Sequence, residues 1–154
     1  MQIREMHRGE EAKAMELVKE VFTKFVAPYY VPLGIDQFMK YIELRALKRR
    51  LLSGNYALFL AEDGGRVVGV LELRDYGHIS LLFVAESYQG YGLARSLFNH
   101  IRIRIAVGHP GQRVITVNAS PNAKQIYEKL GFNQVGIEQE VTGIKFIPME
   151  YYRK

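Results

Sequence analysis

The residues in this sequence best suited to chemistry gather around Leu81 to Phe98, LLFVAESYQGYGLARSLF. An apolar run ends at Val84, a short turn follows, and Gln89-Gly90-Tyr91-Gly92-Leu93-Ala94 opens a helical pattern. The first turn of a helix carries N–H groups without intrahelical partners and a partial positive charge, and glycine lets an anion approach them closely. Arg95, one residue on, can add a cation beside that anion. The chemistry indicated is the binding of a phosphate or diphosphate. His78, at the start of the same apolar run, is of a type whose ordinary range suits accepting a proton, and a plain polar residue at a strand start is the other reading. Ser80 and Ser87 have no evident Ser-His-Asp setting, and the sequence contains no cysteine, so a covalent acyl-enzyme has no obvious nucleophile.

Phosphate loops of other kinds do not match. A Walker A loop requires Lys-Ser or Lys-Thr after its last glycine, and neither occurs here. A dinucleotide fingerprint requires a third glycine where Arg95 stands, and an acidic end to the next strand, which instead reads RVITVN. On the loop alone, a ligand-free strand-to-helix turn remains a reading.

The elements that must position this loop can be read from periodicity. Gln2–Met6 reads as a short strand, and Gly9–Phe25 as a helix with Ala14, Leu17, Val18, Val21, Phe22 and Phe25 on one stripe. Pro28 and Pro32 interrupt it. A second helix is expected from Asp36, as its N-cap, to Leu52, with Gly54 ending it. Tyr56–Glu62 and Val67–Arg74 read as a hairpin turning at Asp63-Gly64-Gly65-Arg66, and His78–Val84 as a further strand. Leu93–Val107 reads as a helix, Arg113–Asn118 as a strand, Pro121–Leu130 as a helix, and Gln134–Val141 with Ile144–Tyr152 as a hairpin turning at Thr142-Gly143. Strands 78–84 and 113–118 flank one helix and are expected to be parallel. The fold class expected is α/β: a mixed, mostly antiparallel sheet with helices on both faces, in one domain over residues 1–154.

Bulk properties narrow the function classes. The chain has 154 residues, 48% hydrophobic and 24% charged, which fits a globular core and excludes wholesale disorder. No apolar stretch approaches the ~20 residues of a membrane span, and the N-terminus has no apolar signal region, so a cytoplasmic location without membrane association is expected. The absence of cysteine excludes disulfides and thiolate metal sites, and no His/Asp/Glu cluster has metal-ligand spacing, so no metal is expected. A net charge of +5 is compatible with an anionic ligand or partner and equally with a mildly basic, solvated surface. RALKRR (45–50) and the arginines of IRIRI (101–105) lack interleaved aromatics or a groove-reading pattern and read as solvated helix faces, so no nucleic-acid partner is expected.

With these residues in view, the sequence resembles the Gcn5-related N-acetyltransferase family. Gln89-Gly90-Tyr91-Gly92-Leu93-Ala94 is similar to its Q/R-x-x-G-x-G/A pyrophosphate loop, and VNASPNAKQIYEKLGF (117–132) to the strand, helix and Y-E-K-L-G-F ending that follow. The element order agrees along nearly the whole chain. The resemblance implies that strands 78–84 and 113–118 splay and that acetyl-coenzyme A lies between them. It implies that the backbone of Phe83 and Val84 holds the pantetheine arm, and that N–H groups from Gln89 through Gly90, Tyr91, Gly92, Leu93 and Ala94 to Arg95 hold the pyrophosphate. Relatives place an asparagine where Ser120 stands; Ser120, Asn122 or Asn118 can supply that cofactor contact, and the Ser120 hydroxyl can instead cap the helix that Pro121 begins. Tyr127 corresponds to the tyrosine that protonates the departing thiolate, and the other reading is a core tyrosine between Ile126 and Leu130. For the proton of the attacking amine, His78 is the first candidate, with Glu72 and ordered water as alternatives.

The function implied is direct transfer of an acetyl group to a primary amine of a small molecule, peptide or protein. Tyr29 and Tyr30, in VAPYYVPLG, lie where relatives wall the acceptor pocket, and plain packing is the other reading of both. The final strand pair lies where relatives form dimers, which makes a homodimer one expected assembly. A rival reading of another class is a catalytically silent acyl-CoA-binding regulatory module on the same fold.

Overall fold

The computed structural model describes all 154 residues. Helix α1 (Glu11–Phe25) forms where Ala14, Leu17, Val18, Val21 and Phe22 recur at helical spacing, and all five are buried. Two shorter helices follow, α2 (Pro32–Tyr41) and α3 (Leu44–Leu52). The expected single helix over 36–52 is therefore corrected. Pro32 starts α2 at its first position after an extended Val31, so Asp36 lies inside the helix rather than at its cap. The break falls at Ile42-Glu43, where the Arg50 guanidinium donates to the Tyr41 carbonyl at 2.6 Å and stacks 3.7 Å from the Tyr41 ring.

The strands are β1 (Gln2–Glu5), β2 (Tyr56–Asp63), β3 (Arg66–Arg74), β4 (His78–Val84), β5 (Val114–Ala119), β6 (Asn133–Gln134), β7 (Gln139–Val141) and β8 (Ile144–Tyr152), and α4 (Leu93–Gly108) and α5 (Lys124–Leu130) flank β5. They form one sheet in the order β1-β2-β3-β4-β5-β8-β6, with β7 paired to the start of β8. Every pairing is antiparallel except β4–β5. The expected last hairpin is interrupted: Val135 still donates to the Pro148 carbonyl at 2.9 Å, residues 136–138 leave the sheet, and Gly136 packs so close to Pro148 that a Cβ would stand 2.7 Å from its Cγ.

The two faces of the sheet are distinct. Gly69 of β3 lies against Leu93 and Leu97 of α4, so α4 covers the face carrying Leu71, Leu73 and Ile79. Glu72, on the opposite face, is bonded to Tyr41 and Arg50, so α1, α2 and α3 cover that side. Leu97, Phe98, Ile101 and Ile105 from α4 and Ala14, Val18 and Phe22 from α1 fill the two layers, nearly all fully buried. Each large side chain so buried contributes about 1.5–3 kcal/mol.

Candidate active site

The loop after β4 has the geometry of an anion nest. Gly90 and Gly92 both sit at φ +83, a left-handed conformation that costs a side-chain-bearing residue about 1–2 kcal/mol. A Cβ at either position would meet nothing within 4 Å, so the requirement for glycine is conformational and not one of space. The N–H of Ser96 closes onto the Gly92 carbonyl at 3.0 Å as the first bond of α4. Ahead of it, the main-chain N–H groups of Gly90, Tyr91, Gly92, Leu93, Ala94 and Arg95 donate to no protein group. These consecutive unpaired donors, at the positive end of a helix, suit a diphosphate. Tyr91, at the tip of the loop, is exposed.

Two side chains of this segment are engaged elsewhere. Gln89 Nε2 donates to the Val84 carbonyl at 3.0 Å and so fastens the turn to the strand end. Arg95 donates to the Lys129 carbonyl at 2.6 Å, tying α4 to the end of α5; its contribution to the nest in this structure is its main-chain N–H.

The gap beside the loop begins within β4. Only His78↔Thr116 and Ile79↔Val117 pair β4 with β5; from Ser80 onward the two strands have no register. The cause is visible on the other side of β4. Glu72 pairs with Leu81 and Leu73 with Ile79, leaving Ser80 as an extra residue, a β-bulge where β4 leaves β5. The bulge is held from below. Ser80 Oγ donates to Glu72 Oε1 at 2.6 Å, as does Tyr41 Oη, while Arg50 donates to Glu72 Oε2 through Nε (3.2 Å) and Nη2 (3.0 Å). Glu72 is fully buried and its carboxylate already accepts four hydrogen bonds from Tyr41, Ser80 and Arg50.

The alternation of an antiparallel ladder determines which β4 groups face the gap. Ala85 N–H bonds the Val68 carbonyl at 2.9 Å, so Phe83, two residues back, bonds Val70 in the same way. Val84 and Leu82 occupy the alternate positions, with their N–H and C=O turned toward β5. Leu82 is therefore a gap-facing residue that sequence reasoning missed, and the main-chain groups of Phe83 are committed to β3. The Phe83 ring instead ends an aromatic series from the α1–α2 connection: Tyr30 meets Phe22 edge-on at 5.5 Å, Phe22 stacks on Phe38 at 3.9 Å, and Phe38 lies 5.8 Å from Phe83. Tyr29 is exposed.

Beyond β5, Ser120 does not cap the next helix. Its hydroxyl makes no hydrogen bond; its carbonyl accepts the Ala123 N–H at 2.8 Å in a short 3₁₀ turn over Pro121–Ala123, and α5 starts at Lys124. Asn122 Nδ2 reaches across to the Phe25 carbonyl at 3.0 Å, and Asn118 is exposed on β5 opposite Pro148. Tyr127 on α5 is buried, with its ring edge-on to Phe132 at 5.5 Å. Its hydroxyl has no protein partner, yet the side-chain polar atoms sealed without a partner are His100 Nε2 and Arg102 Nε, so the Tyr127 oxygen touches accessible space. Burial holds the Tyr127 phenol above the usual tyrosine range, so it stays protonated.

His78 opens β4 beside the point of divergence. Its Nδ1 lies 2.7 Å from Thr116 Oγ1 across the parallel pair, which leaves Nε2 free. Burial, assisted by the neighbouring Arg74, lowers its pKa to about 4, so the imidazole is neutral at physiological pH. No three His, Asp or Glu side chains converge as a metal site would need, and no helix is long and apolar enough to cross a membrane.

Known proteins share this fold. The family model described as "Acetyltransferase (GNAT) domain" matches residues 26–153. The fold is similar to a crystal structure titled GCN5-related N-acetyltransferase from Rhodopseudomonas palustris, at 21% identity and a TM-score of 0.81, covering 98% of this chain and 94% of that one. It is also similar to the PaiA N-acetyltransferase of Thermoplasma acidophilum in complex with coenzyme A, at 15% identity, a TM-score of 0.80 and 98% of each chain. An aminoglycoside 6'-N-acetyltransferase complexed with coenzyme A aligns at 14% identity and a TM-score of 0.71, over 99% of this chain and 97% of that one. No curated protein matches the sequence significantly.

Proposed function

The chain belongs to the acetyltransferase (GNAT) family, and from that premise we propose that it transfers the acetyl group of acetyl-coenzyme A directly to a primary amine of a small molecule, peptide or protein. One observation carries the reading: the row of unpartnered N–H groups from Gly90 to Arg95 stands at the open end of a gap that begins at Ser80. Two of the similar structures hold coenzyme A, which supports the same ligand here.

In this proposal the loop amides bind the diphosphate, and the N–H and C=O of Leu82 and the N–H of Val84, whose carbonyl already accepts from Gln89, pair with the pantetheine amides as a strand would. Ser120, Asn118 and Asn122 line the β5 side of the entrance, Ser120 with a free hydroxyl. The thioester then lies deep in the gap, where its carbonyl carbon is attacked by the amine nitrogen. The C–N bond forms as the C–S bond breaks, and the sulfur takes a proton from Tyr127. Desolvation raises the basicity of a thiolate as it raises that of a phenolate, which keeps donor and acceptor matched inside the gap. The amine's proton leaves through His78 Nε2, Nδ1 being engaged by Thr116, or, because burial weakens that imidazole as a base, through ordered water in the gap. Holding both reactants together supplies much of the acceleration.

The experiment is a screen of amines, amino acids and peptides for release of free coenzyme A thiol, with acetylated product confirmed by mass spectrometry. Amine-dependent release supports the transferase. Tight coenzyme A binding with no release across the panel would favour a silent acyl-CoA-binding module.

A further inference from the structure

The strand register places His78, Thr116 and Glu150 in one row across β4, β5 and β8: His78 is opposite Thr116, and Thr116 is opposite Glu150. All three are half-buried on the α1–α3 face of the sheet, the face that also carries the exposed Asn118. The Arg153 N–H bonds the Arg113 carbonyl at 2.7 Å, so by alternation Thr116 and Glu150 form a non-hydrogen-bonded pair, the kind in which facing side chains stand closest. The row therefore makes a continuous polar floor running outward from the point where β4 and β5 diverge.

Strands β3, β4, β5 and β8 carry two carboxylates between them, Glu72 and Glu150. Glu72 is neutralised by Arg50. Glu150 has no cation within ion-pair distance; its Oε1 accepts from the Tyr152 hydroxyl at 2.7 Å, and Oε2 has no protein donor. A half-buried carboxylate with no cation partner, in a protein with net charge +5, is a specific attraction for a cation.

We propose that Glu150 is the specificity-determining group for a second cationic centre of the acceptor, so that the preferred substrates are diamines or longer polyamines, with one amine at His78 and the other at Glu150. This rests on the transferase reading above. The two side chains spring from Cα atoms separated by two strand spacings, about 10 Å. A four-carbon diamine hydrogen-bonded at both ends fits that span. The charge-assisted bond from the distal ammonium to Glu150 forms equally in the ground and transition states, so it acts mainly on KM.

The test compares 1,4-diaminobutane with 1-aminobutane as acceptors in the wild type and in Glu150→Gln, reading kcat/KM for each, with calorimetric titration of 1,4-diaminobutane as a second readout. The expected result is a preference for the diamine that falls about tenfold in Glu150→Gln, chiefly through KM, with a matching loss of diamine affinity. Glu150→Asp should recover part of it, and Glu140→Gln on β7 should leave the preference in place. A diamine preference that is absent from the wild type, or unchanged in Glu150→Gln, overturns the proposal. Absence of thiol release with every amine sinks the transferase reading instead; diamine binding that depends on Glu150 would still support the subsite, and binding indifferent to it would remove both.

Discussion

Replacing Tyr127 by Phe separates a packing role from a chemical one. The Tyr127 hydroxyl bonds to no protein group, so its removal orphans no partner, while the ring keeps its edge-on contact with Phe132. Stability should therefore change by less than about 1 kcal/mol. A positioned general acid contributes roughly 10²–10⁴ in rate, or about 2.7–5.5 kcal/mol of barrier at 1.36 kcal/mol per tenfold. Burial tightens the phenol's hold on its proton, which places the expected loss at the lower end, about a hundredfold in kcat. KM for acetyl-coenzyme A should stay near the wild-type value, because the hydroxyl acts only as charge develops on sulfur. The assay is initial-rate thiol release at saturating amine across a range of acetyl-coenzyme A, with a thermal melt on the same preparation. A folded variant whose kcat stays within about threefold of wild type would refute the assignment and return Tyr127 to the core.

Gly92→Ala forces a side chain into φ +83 and should weaken coenzyme A binding roughly 5- to 30-fold by calorimetry. Gly64→Ala, at φ +58 in the β2–β3 turn, is the control that should leave binding alone, and equal effects from both would deny the loop its role. Because His78 titrates at about 4 when folded and near 6.5 when unfolded, the unfolded chain binds more protons between those values. Stability is thus complete above pH 6.5 and declines as pH falls toward 4, by up to about 3 kcal/mol; urea midpoints across this range should show the slope, and His78→Gln should flatten it. Arg50→Met leaves the Glu72 charge buried without its cation and should cost about 3–5 kcal/mol in urea unfolding, whereas a loss under about 1 kcal/mol would mean that the cluster does not hold the bulge.

The parts of this fold legible in the sequence are those fixed by local signals. Helices α1 and α4 follow from apolar spacing, β4 from its apolar run, and the turn at Thr142-Gly143, with φ +48 and +81, from the dipeptide itself. The anion nest is local too, since two glycines and a helix start need nothing distant to form it. What escaped depends on partners far along the chain. The split between α2 and α3 is stabilised by Arg50 reaching back to Tyr41, and the break after Gln134 by Gly136 meeting Pro148. The bulge at Ser80 depends on Glu72, Tyr41 and Arg50 converging from three elements. The role of Leu82 required the register against β3, because the sequence shows neighbouring apolar residues but not which of them turns its backbone toward β5.

A crystal structure of the protein with acetyl-coenzyme A tests most directly where the diphosphate sits. Diphosphate oxygens should lie about 2.7–3.2 Å from main-chain nitrogens between Gly90 and Arg95, with the thioester in the gap between β4 and β5 on the Tyr127 side. Coenzyme density elsewhere on the surface, with those nitrogens facing only water, would contradict it.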